Sequence, residues 1–183
     1  MENTITIRID GNPEQYRAGI TVREVLEKQP VQSRLYPLGA LYQNHPADPE
    51  YRLEYDCSLQ VLTFRDRVGF AIYRRSATMI LIEAVRRLYP SRNLTIGQSL
   101  AGGYYFDLAA ESGPDPDEIE KIEEMMRVIV NENINFGKRA VSYREAKAYF
   151  ARINAEDKVE LLEFLRTPEI LLSCCGESRE FYT

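Results

Sequence analysis

The sequence predicts an α+β chain in two parts, a small sheet-and-helix domain over residues 1–66 and a helix-rich α+β domain over residues 67–183. Three observations carry that prediction. Apolar residues alternate in short runs over the first third, the period of half-buried strands. Helix-start signatures, a capping residue followed three positions later by Glu, stand at Thr21, Asp115 and Ser142. Beyond residue 70 the apolar spacing changes to that of amphipathic helices.

Residues 4–9, TITIRI, alternate strictly and run into Asp10-Gly11, a hairpin turn signal. A second short strand follows through Gln15 to Ala18. Thr21 to Glu24 opens a helix in which the Thr21 hydroxyl can accept the Glu24 amide while the carboxylate reaches back. Val22, Val25 and Leu26 give that helix its apolar side, and it is over by Pro30. Leu38–Tyr42 and Leu59–Phe64 read as returning strands. Strand, strand, helix and returning strands is the order of a β-grasp unit.

A linker is expected at Arg65 to Gly69. The stretch from Tyr73 to Pro90, YRRSATMILIEAVRRLYP, then reads as a long helix. At 100° per residue Ala77, Ile80, Leu81, Ala84, Val85 and Leu88 share one apolar face. Arg75, Ser76, Glu83 and Arg86 fall opposite, with Met79 among them. That face is either an ordinary solvated surface with one stray methionine or the wall of a cleft lined by Arg75, Met79 and Arg86. LTIGQSLAGGYYFDL predicts two strands joined near Gly102-Gly103. DPDE opens a helix with Asp115 as cap and Pro116 at the first helical position, and Ile119, Ile122, Met126 and Ile129 keep helical spacing. SYRE opens a third helix at Ser142, and a fourth is expected from Ala155 to Leu165, ended by Pro168.

Net charge is −5, so bulk electrostatics do not favour a nonspecific nucleic-acid or membrane surface. No apolar run approaches the ~20 residues of a membrane span, and no basic start followed by an apolar core marks a secretion signal. Three cysteines, Cys57, Cys174 and Cys175, two of them adjacent, argue against a disulfide framework and for a reducing cytoplasm. Gly97, Gly102 and Gly103 precede strand-forming residues rather than a helix start, so they read as a turn and not as a phosphate loop. The Gly-x4-Gly-Lys-Ser/Thr pattern is absent. Adjacent cysteines chelate one ion poorly, and the one histidine, His45, lies in a polar turn. No metal site and no catalytic residue are expected.

The order of a β-grasp unit, RRSATMILIEAVRRLYP, GGYYFDL, an acidic helix and VSYREAKAYF resembles the N-terminal half of threonyl-tRNA synthetase, with its TGS domain and the editing (second additional) domain behind it. The editing domain carries His-x3-His in its first helix and Cys-x3-His near its end, and these hydrolyse mischarged tRNA. Aligned on AVRRLYP, this sequence has Arg75 and Met79 at the two histidine positions. Cys174 and Cys175 are followed at the fourth position by Ser178 and Arg179. Arginine cannot act as a base near neutral pH, and a thioether cannot move protons. The resemblance therefore implies the editing scaffold without its hydrolytic groups.

GFAIYRRSATMILIEAVRRLYP is also similar to the N-terminal region of bacterial uridine kinase-like proteins, in which a TGS-like unit and an editing-like domain precede a P-loop nucleoside kinase. That resemblance implies a non-catalytic accessory region of an ATP-dependent phosphotransferase, cytoplasmic, cut short at its C-terminus. Its partner would be the downstream kinase domain, and ATP and magnesium would belong to that domain alone. The degenerate cleft would be open to nucleotide or RNA. Two alternatives stand beside it: a free-standing threonyl-tRNA synthetase-like editing protein, and an RNA-binding module using Arg74, Arg75, Arg86, Arg87 and Arg92.

Overall fold

A computed structural model describes residues 3–30, 35–100, 103–108, 113–165 and 167–181. The chain is α+β and divides into two compact units, Met1–Arg75 and Ser76–Thr183.

The first unit holds β1 (Thr4–Ile9), β2 (Asn12–Arg17), β3 (Ile20–Thr21), α1 (Val22–Glu27), β4 (Gly39–Tyr42), β5 (His45–Pro46), β6 (Arg52–Leu53) and β7 (Cys57–Leu62). The alternation of TITIRI becomes geometry directly: Ile5, Ile7 and Ile9 are buried while Thr4 and Arg8 face out. Asp10 and Gly11 both adopt positive φ, 48° and 89°, as a tight turn between right-twisted strands requires. The main sheet runs β2-β1-β7-β4-β5, with β1 and β7 parallel and the other pairs antiparallel. This is the β-grasp order. The helix α1 starts as expected, with Glu24 donating its amide to the Thr21 hydroxyl and its carboxylate accepting the Thr21 amide. Val22 and Val25 then join Ile5, Ile7, Ile9, Leu53 and Leu59 in one core.

A long helix, α2 (Arg67–Leu88), comes next and crosses the division between the units. It begins earlier than expected, since Arg67–Gly69 are already helical. The reason is local. The Asp66 carboxylate accepts both the Thr63 amide and the Thr63 hydroxyl, at 2.7 and 3.0 Å, and fixes the turn. Gly69 then passes so close to the Thr63 carbonyl that a Cβ would lie 1.9 Å from its oxygen.

The second unit continues with β8 (Leu94–Leu100), β9 (Gly103–Leu108), α3 (Pro116–Asn131), β10 (Phe136–Ser142), α4 (Tyr143–Arg152), α5 (Glu156–Phe164), β11 (Glu169–Cys175) and β12 (Ser178–Phe181). The strands β8 and β9 pair as a separate ribbon; of the expected Gly102-Gly103 turn, Gly102 lies outside the described residues. Both remaining capping boxes form, at Asp115/Glu118 and Ser142/Glu145. The three-stranded sheet β10-β11-β12 is an element the sequence reading does not contain. Its core-facing residues Val141, Ile170 and Leu172 pack with Ala146, Tyr149, Phe150 and Leu162 of α4 and α5. Among the described residues no helix is long and apolar enough to cross a membrane.

Candidate functional site

The three side chains expected to line one concavity occupy three different settings. Arg75 is exposed on α2. Met79, one turn later, is 6% exposed and belongs to a buried cluster with Ala84, Ile129 and Cys175. The placement of Met79 on a polar face is therefore corrected. Arg86 is half-buried, and its guanidinium is engaged by Glu83, Glu177 and Ser178. Arg75, Met79 and Arg86 thus follow along one helix as an exposed, a buried and a half-buried side chain.

The reason lies in the β11–β12 hairpin. Its turn, Gly176-Glu177, joins Cys175 to Ser178, which face each other across the antiparallel pair. The hairpin settles on the side of α2 that helical spacing marks as polar, and Cys175 joins Met79, Ala84 and Ile129 in one buried cluster there. Gly176 has φ 58°, and a Cβ on it would stand 2.8 Å from a Glu83 carboxylate oxygen. Only glycine meets both demands.

Glu83 is the centre of this contact and is only 1% exposed, although helical spacing places it on a solvated face. A buried carboxylate persists only when charge and hydrogen bonds replace water. Here five donors do so. Arg86 donates from Nη2 to Oε1 at 2.8 Å and from Nε to Oε2 at 3.1 Å, and Arg87 donates from Nε to Oε1 at 2.8 Å. Ser178 donates its hydroxyl at 2.6 Å and its amide at 3.2 Å, both to Oε2. Arg87 reaches on to Glu132 at 2.8 Å and Arg86 to Glu177 at 3.2 Å, extending the network to α3 and the hairpin turn. Burial alone would push the Glu83 carboxyl up, but the hydrogen bonds from Arg86, Ser178 and Arg87 outweigh it and hold it at about 2.

These groups are poor hydrolytic machinery. A carboxylate at about 2 with every lone pair occupied is a weak base at neutral pH. Burial, aided by the charge of Glu83, pushes the Cys175 thiol up to about 11, so it stays protonated and weakly nucleophilic. Arg179, four residues after Cys175, lies with its guanidinium carbon 5.0 Å from the Tyr149 ring centroid and donates its backbone amide to the Tyr149 hydroxyl at 2.8 Å. Along these elements the chain therefore holds an exposed arginine at Arg75, a buried thioether at Met79, a buried protonated thiol at Cys175 and, at Arg179, a guanidinium over the Tyr149 ring. Among the described residues no three His, Cys, Asp or Glu side chains come together as a metal site.

A separate cavity of about 690 Å3 lies wholly in the first unit, between β2 and α1, with Tyr16, Arg17, Lys28 and Arg52 among its lining. Nothing in the sequence reading pointed to it.

Comparison with known proteins places the chain beside one group. It is 34% identical over 177 residues to a threonine–tRNA ligase of Desulforamulus reducens, a match that takes in 97% of this chain and 27% of the ligase. It is 35% identical over 178 residues to that of Acetivibrio thermocellus, with the same coverage, and 36% identical over 167 residues to that of Clostridium novyi, covering 91% of this chain and 26% of the ligase. The chain thus spans about a quarter of the length of these curated relatives. No protein-family model matches it. The relatives support the synthetase-like part of the expectation and give no support to the uridine kinase-like part.

Proposed function

We propose that this chain is a threonine–tRNA ligase-like module that binds RNA without hydrolysing an aminoacyl ester. The observation that carries the reading is the closed contact between α2 and the β11–β12 hairpin, in which Met79 packs with Cys175 and Glu83 takes five hydrogen bonds. Ester hydrolysis needs a base or activated water beside the reacting carbonyl. In this contact stand a thioether, a protonated thiol and a carboxylate neutralised by Arg86, Arg87 and Ser178, and none of them is a ready base at neutral pH. Similarity to the ligases along 97% of the chain supports retention of their scaffold, and with it a tRNA-type ligand. The segment is then an accessory, non-catalytic part of whatever chain contains it, and ATP and magnesium have no role among its own residues.

The test pairs two measurements on the purified chain. Fluorescence anisotropy with labelled total tRNA at 50 mM salt should show saturable binding. Incubation with mischarged tRNA should release amino acid no faster than buffer does, with an active threonine–tRNA ligase as positive control. Release above buffer that disappears in Cys175→Ala would sink the non-hydrolytic half of the reading. Absence of tRNA binding would sink the other half.

A further inference from the structure

We infer that the arginines gathered round Tyr149 form the surface that takes the RNA phosphate backbone. This rests on the RNA-binding reading above and adds where on the second unit the strand lies.

Charge is strongly segregated along the sequence. Residues 136–152, FGKRAVSYREAKAYFAR, carry Lys138, Arg139, Arg144, Lys147 and Arg152 against Glu145 alone, five positive charges and one negative, in a chain of net −5. The fold concentrates part of this charge at one place. On α4, Glu145, Tyr149 and Arg152 follow at spacings of four and three and so share a face. The Arg152 guanidinium carbon lies 5.7 Å from the Tyr149 ring centroid, and that of Arg179, from β12, lies 5.0 Å from it. Arg139 approaches from β10: the Glu145 carboxylate, held low first by its hydrogen bonds from Ser142, also feels Arg139 and Arg179.

What sets this group apart is that two of its guanidiniums lie over one tyrosine ring while none of the three has a carboxylate at ion-pair distance. Arg23, Arg86, Arg87, Arg92 and Arg127 each make an ion pair. Among the described residues Arg139, Arg152 and Arg179 make none. Of the acidic groups near them, Glu145 is already committed as the cap of α4, accepting the Ser142 amide at 2.9 Å and hydroxyl at 2.8 Å, and Glu180, whose charge reaches Tyr149, is paired with Lys158. Held over the Tyr149 ring without a carboxylate partner, the two guanidiniums keep N–H groups to donate, and a guanidinium can take phosphate oxygens in pairs. Arg139 and Arg152 are exposed and Arg179 is half-buried, so the surface is open to a long ligand.

Three phosphate contacts give a slope of log affinity on log salt of about −2 for a single strand and nearer −3 for a duplex. The experiment measures that slope by fluorescence anisotropy, with a single-stranded RNA oligomer, a duplex RNA and total tRNA. Three variants are compared with the wild type: Arg139→Gln/Arg152→Gln, Arg139→Gln/Arg152→Gln/Arg179→Gln, and the control Arg23→Gln/Arg127→Gln. Circular dichroism reports folding, and the double variant, confined to exposed residues, keeps the test usable if loss of Arg179 disturbs Tyr149. The expected result is binding at least tenfold weaker in the double variant, weaker again in the triple, with the slope shallower by about 0.7 to 0.9 per arginine removed and the control unchanged. Wild-type binding retained within twofold by the double variant would place the RNA elsewhere and overturn this surface while leaving the RNA-binding reading intact. No binding of any RNA by the wild type would overturn both. Arginine-dependent binding of polyglutamate tighter than that of RNA would assign the surface to an acidic protein, and would overturn the proposal as well.

Discussion

At the scale of single residues, Glu83 and Cys175 behave as structural groups, and each makes a measurable difference. Glu83→Ala should cost about 3 kcal/mol, because it leaves Arg86 and Arg87 facing each other without their shared counter-charge. Chemical denaturation at pH 7 measures that loss; a change below 1 kcal/mol would mean that the network is not holding the hairpin. Cys175 should resist alkylation in the native protein at pH 8, since a thiol at about 11 is almost wholly protonated and is buried besides. Iodoacetamide labelling followed by peptide mass spectrometry checks this, and rapid native labelling of Cys175 would contradict its place in the core. Met79→His, the change that would restore one expected histidine, should destabilise by about 2 kcal/mol by placing a polar ring in an apolar cluster. Neither Met79 nor Glu83 was legible as buried in the sequence. A helical wheel reports only where apolar residues fall. A carboxylate with arginines three and four residues on carries its own neutralisation, and that spacing was the one available clue.

At the scale of elements, the signals that were read correctly are those satisfied within a few residues. The alternation of TITIRI, the Asp10-Gly11 turn and the three capping boxes depend on local hydrogen bonds and a fixed period, so they survive any tertiary context. The strands β10, β11 and β12 lacked such signals. In β10 every residue but Val141 is exposed, so FGKRAVS shows no alternation. In β11 the exposed Leu171, between buried Ile170 and Leu172, turns an alternating strand into the unbroken apolar run ILL. The hairpin turn between β11 and β12 gives the element-scale prediction. Gly176→Ala should destabilise by about 1–3 kcal/mol, through its positive φ and through the clash with Glu83. Thermal unfolding reads it, and the double change with Glu83→Ala should cost less than the sum of the two single changes, because the clash disappears with the carboxylate. Strict additivity would show that Gly176 and Glu83 do not meet.

At the scale of the whole molecule, an overall negative charge of −5 conceals the strongly positive segment 136–152, on which the proposed RNA surface rests. Composition averages over a surface, and a binding site does not. The same reasoning applies to pH. Glu83 has a carboxyl lowered from 4.5 to about 2, so its contribution to stability is fully present above about 4.5 and is lost as pH falls towards 2. The difference in unfolding free energy between wild type and Glu83→Ala should therefore shrink by roughly 3 kcal/mol between pH 5 and pH 2. A difference that stays constant over that range would show that Glu83 does not titrate with unfolding.

The contact between Glu83 and Ser178 also has a consequence in time. The two residues are 95 positions apart. At about 5–20 residues per second of synthesis, the glutamate emerges some 5–20 seconds before the serine that caps it. Through that interval α2 must carry a carboxylate and a methionine whose final cover does not yet exist. The β-grasp sheet, by contrast, is complete with β7, once Leu62 has been made. A nascent chain of this protein thus passes through a stage in which its first unit can fold while its second cannot close, and synthesis of the β11–β12 hairpin ends that wait.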